Sequence, residues 1–269
     1  MTLIDGLAAE RPTPTTTWMG RRHRHLERCE STNDLAAAEG RAGAAEGLLV
    51  TTDAQTAGRG RLGRTWHAPA GENLTASLLL RPSRPSAEIP PLTLLVGGAV
   101  ASGLRAMGFD ARLKWPNDVL LGGFPGGAPG RRRKVAGILT EAASVGDRIG
   151  FVVVGIGLNV NTLAFPDALS EKATSLRLAR GAPLDRAEIL WSILAALEPA
   201  YERFCALGPA AAVALWDEHA DRDLRCRVRL GDRDVEGVTE GVSPEGALRL
   251  RADDGSLHLV VSGEVLPAI

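Results

Sequence analysis

The sequence predicts an α+β fold that ends in a small β-barrel. Over residues 26–221, short apolar runs typical of buried strands alternate with longer stretches of helical periodicity. After Asp223 the pattern changes to short alternating strands separated by turn residues. The chain has 269 residues, 45% of them hydrophobic, which suffices for one sizeable domain and one small domain. We therefore expect an N-terminal arm over residues 1–25, a main domain over 26–221 and a barrel over 222–269.

The elements of the main domain follow from the spacing of apolar and capping residues. Ser31, with Asp34 three residues on, resembles a capping box and predicts a helix start before the Ala-rich stretch 35–46. Strands are predicted over 48–52, 74–80, 112–115, 135–141 and 151–160, and further helices over 92–107 and 187–207. The Gly/Pro-rich segment 122–130, followed by four basic residues, predicts a hairpin tip.

Composition excludes several classes of function. The net charge of −1 does not favour broad binding to nucleic acid or to anionic membranes. Residues 1–20 lack the pattern of a signal peptide, and no run of about 18 apolar residues is present to span a bilayer. The three cysteines, Cys29, Cys205 and Cys226, are widely spaced and odd in number, which indicates reduced thiols. We expect a cytoplasmic protein without nucleic-acid or membrane partners.

The segment 53–66 alternates glycine with arginine. Glycine loses the most backbone entropy on folding, and the three guanidiniums of Arg59, Arg61 and Arg64 repel one another. A bound phosphate chain relieves both costs, because arginine matches phosphate oxygens and glycine lets backbone N–H groups approach closely. The segment therefore predicts a loop that closes over a nucleotide.

The same segment is compatible with other kinds of loop. Gly58, Gly60 and Gly63 match the spacing of a dinucleotide-binding fingerprint, but the following Thr65–Pro69 cannot begin the required helix. A Gly-Lys-Ser/Thr sequence is missing, which argues against a P-loop. An RG-type nucleic-acid segment and a plain solvated surface loop remain as alternatives.

Four further polar patches combine into one chemical proposal. They lie at residues 31–33, 114–118, 134–141 and 155–161, and each also has a local explanation as a cap, a turn, a surface lysine or a close strand approach. Lys114 and Lys134, which open two strands, could bring their positive charges to a bound phosphate. Asp118 and Asn159 could hold Mg²⁺. Because no Ser-His-Asp, Cys-His or HExxH arrangement occurs, the expected chemistry is electrostatic stabilisation at the α-phosphate of a nucleoside triphosphate.

In their order, these motifs resemble those of the biotin protein ligases. The matching segments are Ser31-Thr-Asn, Asp53-Ala-Gln-Thr-Ala-Gly-Arg-Gly-Arg-Leu-Gly-Arg, Lys114-Trp-Pro-Asn-Asp, Lys134-Val-Ala-Gly-Ile-Leu and Gly155-Ile-Gly-Leu-Asn. The resemblance covers residues 26–269. It implies a mixed sheet with flanking helices, similar to class II synthetases and lipoate ligases, followed by an SH3-like barrel. It also implies that biotin is activated with ATP to biotinyl-5′-AMP and transferred to a lysine of a carrier protein.

The resemblance implies roles for particular residues. Those implied to be catalytic are Arg59, Arg61, Lys134 and Asp118. Biotin is expected to contact Ser31, Thr32, Asn33, Gln55, Arg59, Gly60, Arg61 and Lys134. The nucleotide is expected at Arg61, Arg64, Trp66, Lys114, Lys134 and Asn159, and Mg²⁺ at Asp118 and Asn159. The implied partner is the biotin carboxyl carrier domain of an acetyl-CoA/acyl-CoA carboxylase or a pyruvate carboxylase.

The sequence departs from the family pattern at two places. Only about 25 residues precede the first motif, too few for the N-terminal DNA-binding domain of some members, so no repressor function is expected. The insertion at 122–133 also looks long, and its basic residues could meet an acidic carrier. Two rivals remain: a lipoate or octanoate ligase, and a biotin-sensing or nucleic-acid-binding regulator.

Overall fold

The computed structural model describes residues 16–122, 131–145, 148–230 and 233–267. The helices are α1 Thr32–Arg41, α2 Leu92–Ala106, α3 Asp167–Ser170, α4 Leu176–Arg180, α5 Arg186–Leu207 and α6 Pro209–His219. The first seven strands are β1 His23–Cys29, β2 Leu49–Gln55, β3 Leu74–Leu80, β4 Ala111–Lys114, β5 Asp118–Leu121, β6 Arg133–Val145 and β7 Arg148–Leu158. The last five are β8 Arg225–Leu230, β9 Arg233–Val242, β10 Leu248–Ala252, β11 Leu257–Val260 and β12 Val265–Pro267.

Two sheets organise these elements. Seven strands form one sheet in the order β1-β2-β3-β7-β6-β5-β4. The β1–β2 pair is parallel and the remaining neighbours are antiparallel, so the sheet is mixed as predicted. The C-terminal strands form a five-stranded antiparallel sheet in the order β11-β10-β9-β8-β12, consistent with the expected SH3-like barrel. The predicted fold class is confirmed.

Helices cover both faces of the seven-stranded sheet. On one face α2 packs against β4, β5 and β6 and is itself backed by α5 and α6. On the other face α1 packs over β2, β3 and β7. The segment Ser86–Ala106, which contains α2, is long and apolar enough to cross a membrane, but 72% of its apolar 18-residue stretch is buried within the described structure. Its apolar character follows from this position between the sheet and two helices.

The N-terminal segment is anchored to α5 by one buried carboxylate. Glu198, 6% exposed, accepts hydrogen bonds from the backbone N–H groups of Thr17 (2.7 Å), Trp18 (3.1 Å) and Met19 (2.8 Å). The Thr17 hydroxyl donates to the same carboxylate at 2.8 Å. Strand β1 already begins at His23, which pairs with Leu49. The expected arm boundary at residue 25 therefore falls inside the sheet, because β1 needs residues 23–25 to pair with β2.

Several element bounds differ from the predictions for local reasons. Helix α1 begins at Thr32 with Ser31 at the N-cap, as predicted, but it ends at Arg41 rather than near residue 46, and Arg81 donates to the carbonyls of Gly40 and Ala44 there. The Ser31 side chain itself makes no capping hydrogen bond. Strand β5 and helix α6 were not predicted. Lys114 ends β4 instead of opening a strand. The predicted hairpin tip, apart from Gly122, lies outside the described residues.

Candidate active site

A cleft of about 820 Å³ opens beside α1 on the same face of the main sheet. Alternate residues of a strand share one face, so Phe151, Val153, Gly155 and Gly157 of β7 point to this side. Phe151 and Val153 pack in a hydrophobic cluster under α1. A Cβ on Gly155 would collide with the Asn33 amide, and one on Gly157 with the Trp66 indole. The cleft therefore begins where large side chains give way to glycine.

The structure brings every predicted site residue to this cleft. Its lining includes Ser31, Thr32, Asn33, Gln55, Arg59, Gly60, Arg61, Arg64, Trp66, Lys114, Asp118, Lys134 and Asn159. They come from the start of α1, the loop after β2, and the ends of several strands in the sheet. Residues 263–266 of the C-terminal unit complete one wall.

A chain of hydrogen bonds between uncharged side chains, which ends on the Glu141 carboxylate, forms one end of the cleft. The Gln55 side-chain oxygen accepts from the Thr32 backbone N–H (2.8 Å) and hydroxyl (3.1 Å). The buried Ser77 hydroxyl lies 2.7 Å from Thr32 Oγ1 and 2.6 Å from Asn33 Oδ1. Because each group is fixed by a neighbour, this end is preorganised for a polar, uncharged ligand.

The loop after β2 is held by ion pairs at both of its ends. Arg59 makes a bidentate contact with Asp34, at 2.6 and 2.7 Å. Arg64 makes a second bidentate contact with Glu264 of the C-terminal unit, at 3.0 and 2.5 Å. The repulsion expected among the three loop arginines is therefore offset by protein carboxylates.

Arg61, between them, is placed differently. It contacts Asn117 Oδ1 at a long 3.4 Å and forms no ion pair with any residue that the structure describes. Burial lowers the pKa of Arg61, although the charge of Asp118 acts in the opposite direction. The middle arginine is the loop cation that remains for an anionic ligand.

Trp66 closes the floor of the cleft. Its indole lies against Gly137 and Gly157 on neighbouring strands. The Lys134 Nζ stands 5.5 Å from the centroid of the Trp66 ring, within the range of a cation–π contact. The indole N–H is buried and unpartnered among the described residues, so a ligand acceptor could satisfy it.

Lys134 and Asp118 form a close ion pair in the same region. Lys134 Nζ lies 2.5 Å from Asp118 Oδ1, with about a third and a fifth of the two side chains exposed. Lys114 lies opposite Asp118 in the β4–β5 register. Arg61, Lys114 and Lys134 outnumber the Asp118 carboxylate, and the neighbouring Arg64–Glu264 pair adds no net charge, so this end of the cleft is cationic and suited to phosphate.

Asn159 presents an unused acceptor to the cleft. Its side chain is 3% exposed, and Nδ2 donates to the Thr174 carbonyl at 3.0 Å. Its Oδ1 is buried without a partner in the described part of the chain. An unpaired buried acceptor is costly, so Oδ1 fits an N–H donor or a cation of a ligand.

Asp118 and Asn159 lie on opposite sides of strand β6 in the main sheet. In the sheet, Asp118 pairs with Gly137 and Gly137 with Gly157, and the Trp66 indole covers both glycines. Asp118 is also already paired with Lys134. Within the described ranges, no three His, Cys, Asp or Glu side chains lie close enough together to hold a metal ion.

Sequence reasoning missed four residues that organise the site. These are Asp34, Ser77, Glu141 and Glu264. Ser77 gave a signal, as a single small hydroxyl in the otherwise apolar second half of β3. Asp34 was interpreted only as part of a helix start and Glu141 only as the end of the polar patch 134–141, whereas Glu264 gave no signal because its partner Arg64 lies 200 positions away.

Comparisons with known proteins agree with this geometry. Residues 26–159 match the Biotin/lipoate A/B protein ligase family, and residues 225–266 match the Biotin protein ligase C terminal domain. A biotin–[acetyl-CoA-carboxylase] ligase of Paracoccus denitrificans is 37% identical over 243 residues, covering 86% of this chain and 94% of that protein. The chain belongs to the biotin protein ligase family.

Two further relatives extend this result. The structure of a biotin protein ligase from Aquifex aeolicus, in complex with biotin and ATP, superposes with a TM-score of 0.74 at 26% identity, covering 91% of this chain and 97% of that one. A bifunctional ligase/repressor of Bacillus spizizenii is 39% identical over 218 residues, or 79% of this chain. The chain spans 64% of the length of that relative.

Proposed function

We propose that this chain activates biotin with ATP and transfers it to a lysine of a biotin carboxyl carrier domain. In the first step, the biotin carboxylate attacks the α-phosphorus of ATP, giving biotinyl-5′-AMP and pyrophosphate. In the second, the neutral amine of the acceptor lysine attacks the carbonyl carbon of the mixed anhydride. The amide forms, AMP leaves, and the amine loses a proton.

The observation that carries this proposal is the division of one cleft into a neutral end and a cationic end. The hydrogen-bonded residues Thr32, Asn33 and Gln55 suit a polar, uncharged head group such as the ureido ring of biotin. The cations Arg61, Lys114 and Lys134 line the other end. A ligand with an uncharged head and a carboxylate tail would bring its carboxylate to the phosphate-binding end, where adenylation has to occur.

Electrostatic stabilisation is the main catalytic contribution that these residues can make. Charge grows on the α-phosphate oxygens as the carboxylate attacks, and fixed cations stabilise that charge without reorganisation. Arg61 and Lys134 are assigned to this role. Lys114 is assigned to the remaining phosphates and Trp66 to packing beneath the adenylate, while Arg64, expected at the nucleotide, is instead held by Glu264 at the edge of the cleft.

Mg²⁺ is proposed as part of the Mg·ATP substrate. Magnesium retains several waters and is commonly bound through substrate phosphates plus one or two protein oxygens. Either Asp118 or Asn159 would supply one such oxygen, and the two would not bind the same ion together. The buried Oδ1 of Asn159 equally suits an N–H donor of the adenine ring.

The proposed partner is a biotin carboxyl carrier domain of an acetyl-CoA/acyl-CoA or pyruvate carboxylase, encountered in the cytoplasm. Cys29, Cys205 and Cys226 are all free thiols, which fits a reducing compartment. The test is incubation of a purified carrier domain with the protein, biotin and Mg·ATP, followed by intact-mass measurement. The carrier should gain one biotin, and a carrier whose acceptor lysine is replaced by arginine should gain none. A carrier that stays unmodified while an active reference ligase modifies it would contradict the proposal.

A further inference from the structure

Two carboxylates hold the arginine at the start of the loop. Arg59 uses both terminal nitrogens of its guanidinium on Asp34, at 2.6 and 2.7 Å. Nη2 also reaches Glu141 Oε1 at 3.4 Å. Asp34 lies in the first turn of α1, directly after the biotin-side residues 31–33. The Arg59 head group is thus neutralised by the protein's own acids.

Glu141 continues this contact into the neutral end of the cleft. Its Oε2 accepts a hydrogen bond from Asn33 Nδ2 at 2.6 Å. Asn33 Oδ1 in turn lies 2.6 Å from the Ser77 hydroxyl. One carboxylate therefore touches both the loop and a residue assigned to biotin, so the loop position and the pocket geometry are physically linked.

We propose that Asp34, assisted by Glu141, is a latch that positions the loop over the cleft through Arg59. Asp34 is then a positioning residue, and Arg59 acts on the loop rather than on the reacting atoms. This inference rests on the proposed function, since the latch retains biotin and its adenylate. With Arg59 and Arg64 occupied by carboxylates, Arg61 remains to meet the phosphate.

The charges support a latch that works at neutral pH. The Arg59 guanidinium lowers the pKa of Asp34 from its ordinary value, mainly through their hydrogen bonds, so Asp34 stays ionised. The same pair raises the pKa of Arg59. A loop that is closed for a larger fraction of the time binds its ligand with higher apparent affinity, because less ordering remains to be done.

The size of the effect follows from exposure. The two side chains are 40% and 54% exposed, so the latch belongs with solvent-exposed ion pairs. The coupling free energy of an exposed ion pair is highest when the contact is bidentate. At that upper end, loss of the pair changes the equilibrium between the open and closed loop, or the rate of ligand release, about fivefold. The change should diminish in about 1 M salt, where exposed charges are screened.

The experiment compares Asp34→Asn with Glu39→Gln. Glu39 is a matched control because it lies on the same helix and pairs with Arg24, away from the loop. The first measurement is the rate of trypsin cleavage after Arg61 or Arg64 in protein without substrates. The second is the rate at which the biotinyl-adenylate leaves the protein, at low and at high salt. Asp34→Asn should raise both rates about fivefold at low salt, and Glu39→Gln should leave them as in the wild type.

A double variant separates a latch from a general loss of structure. If Asp34 acts through Arg59, then Asp34→Asn adds nothing further in an Arg59→Ala background. The same acceleration in both backgrounds would overturn the latch, and so would wild-type cleavage and release rates for Asp34→Asn. If the wild-type protein formed no adenylate, the proposed function would be overturned. The trypsin cleavage rates would still show whether Asp34 holds the loop.

Discussion

Arg64 in the loop and Glu264 in the C-terminal unit form a bidentate ion pair across 200 positions of sequence. The hydrogen bonds and charge of Arg64 lower the pKa of Glu264, with Lys114 and Lys134 as smaller contributors. The C-terminal unit therefore contributes directly to the cleft, through a carboxylate beside the cations assigned to phosphate. Because Glu264 holds Arg64, the C-terminal unit helps to position the loop over the cleft.

This pair should contribute only modestly to stability. Its side chains are 62% and 42% exposed, and exposed pairs typically contribute about 0.2–1 kcal/mol. A double-mutant cycle of Arg64→Ala and Glu264→Ala on the free energy of unfolding should return a coupling in this range, which falls with added salt. A coupling above about 2 kcal/mol, or one insensitive to salt, would show that the contact is not an ordinary exposed pair.

Replacement of Arg61 should affect the adenylate more than biotin. A hydrogen bond to a charged group is typically worth about 1.5–3 kcal/mol, so Arg61→Ala should speed release of the adenylate roughly 10- to 100-fold. Binding of biotin alone, measured by calorimetry, should change much less. Arg203→Ala, on the exposed side of α5, is the control for loss of one positive charge. Equal losses for biotin and adenylate would argue against a phosphate contact.

Lys134→Ala should impair adenylation and leave the fold intact. Removal of one preorganised stabilising group typically costs roughly 100- to 1,000-fold in rate, and Lys134 lies beside Trp66 in the cleft. Pyrophosphate release at saturating substrates measures this directly. Lys134→Arg should recover part of the rate, since it restores the charge. A large fall in melting temperature would instead indicate that the pair with Asp118 is mainly structural.

Gly157→Ala should disrupt the site by moving Trp66. The new Cβ would overlap the indole, and overpacking of this kind costs about 1–3 kcal/mol. Adenylate formation should fall roughly tenfold or more, with a change in tryptophan fluorescence. In a Trp66→Ala background the same substitution should cost little, because the collision is gone. Additive losses in the two backgrounds would contradict this explanation.

Glu198 should make the anchoring of the N-terminal segment sensitive to acid. Burial alone would raise the pKa of Glu198, but the donors from Thr17, Met19 and Trp18 outweigh it and hold the pKa below its ordinary value. The stabilisation is therefore complete above the unfolded pKa of about 4.3 and is lost as the pH falls through the lower folded value. Glu198→Gln should cost about 1–3 kcal/mol at neutral pH and flatten the acid side of the stability curve. If the free energy of unfolding of Glu198→Gln fell at acid pH as steeply as that of the wild type, other carboxylates would be responsible for the fall.

Much of the site could be predicted because its residues cluster in short motifs. Gly155 and Gly157 lie on one strand and Asn159 directly follows it, and Thr32 and Asn33 begin one helix, so local spacing already groups them. Glu264 and Glu141 could not be assigned, because an ion pair between distant segments leaves no periodic trace in the sequence. The C-terminal end of α1 was missed for a similar reason: Arg81, which directly follows β3, donates to the Gly40 carbonyl in its last turn.

The most direct test is mass spectrometry of the protein incubated with Mg·ATP and, separately, with biotin, lipoate or octanoate. The proposed function predicts a biotin-dependent acyl-adenylate with release of pyrophosphate, and no adenylate from lipoate or octanoate. An adenylate formed from lipoate or octanoate instead would show that the neutral end of the cleft binds a different acid. No adenylate from any of the three would contradict the assignment of the loop and the lysines to acyl activation.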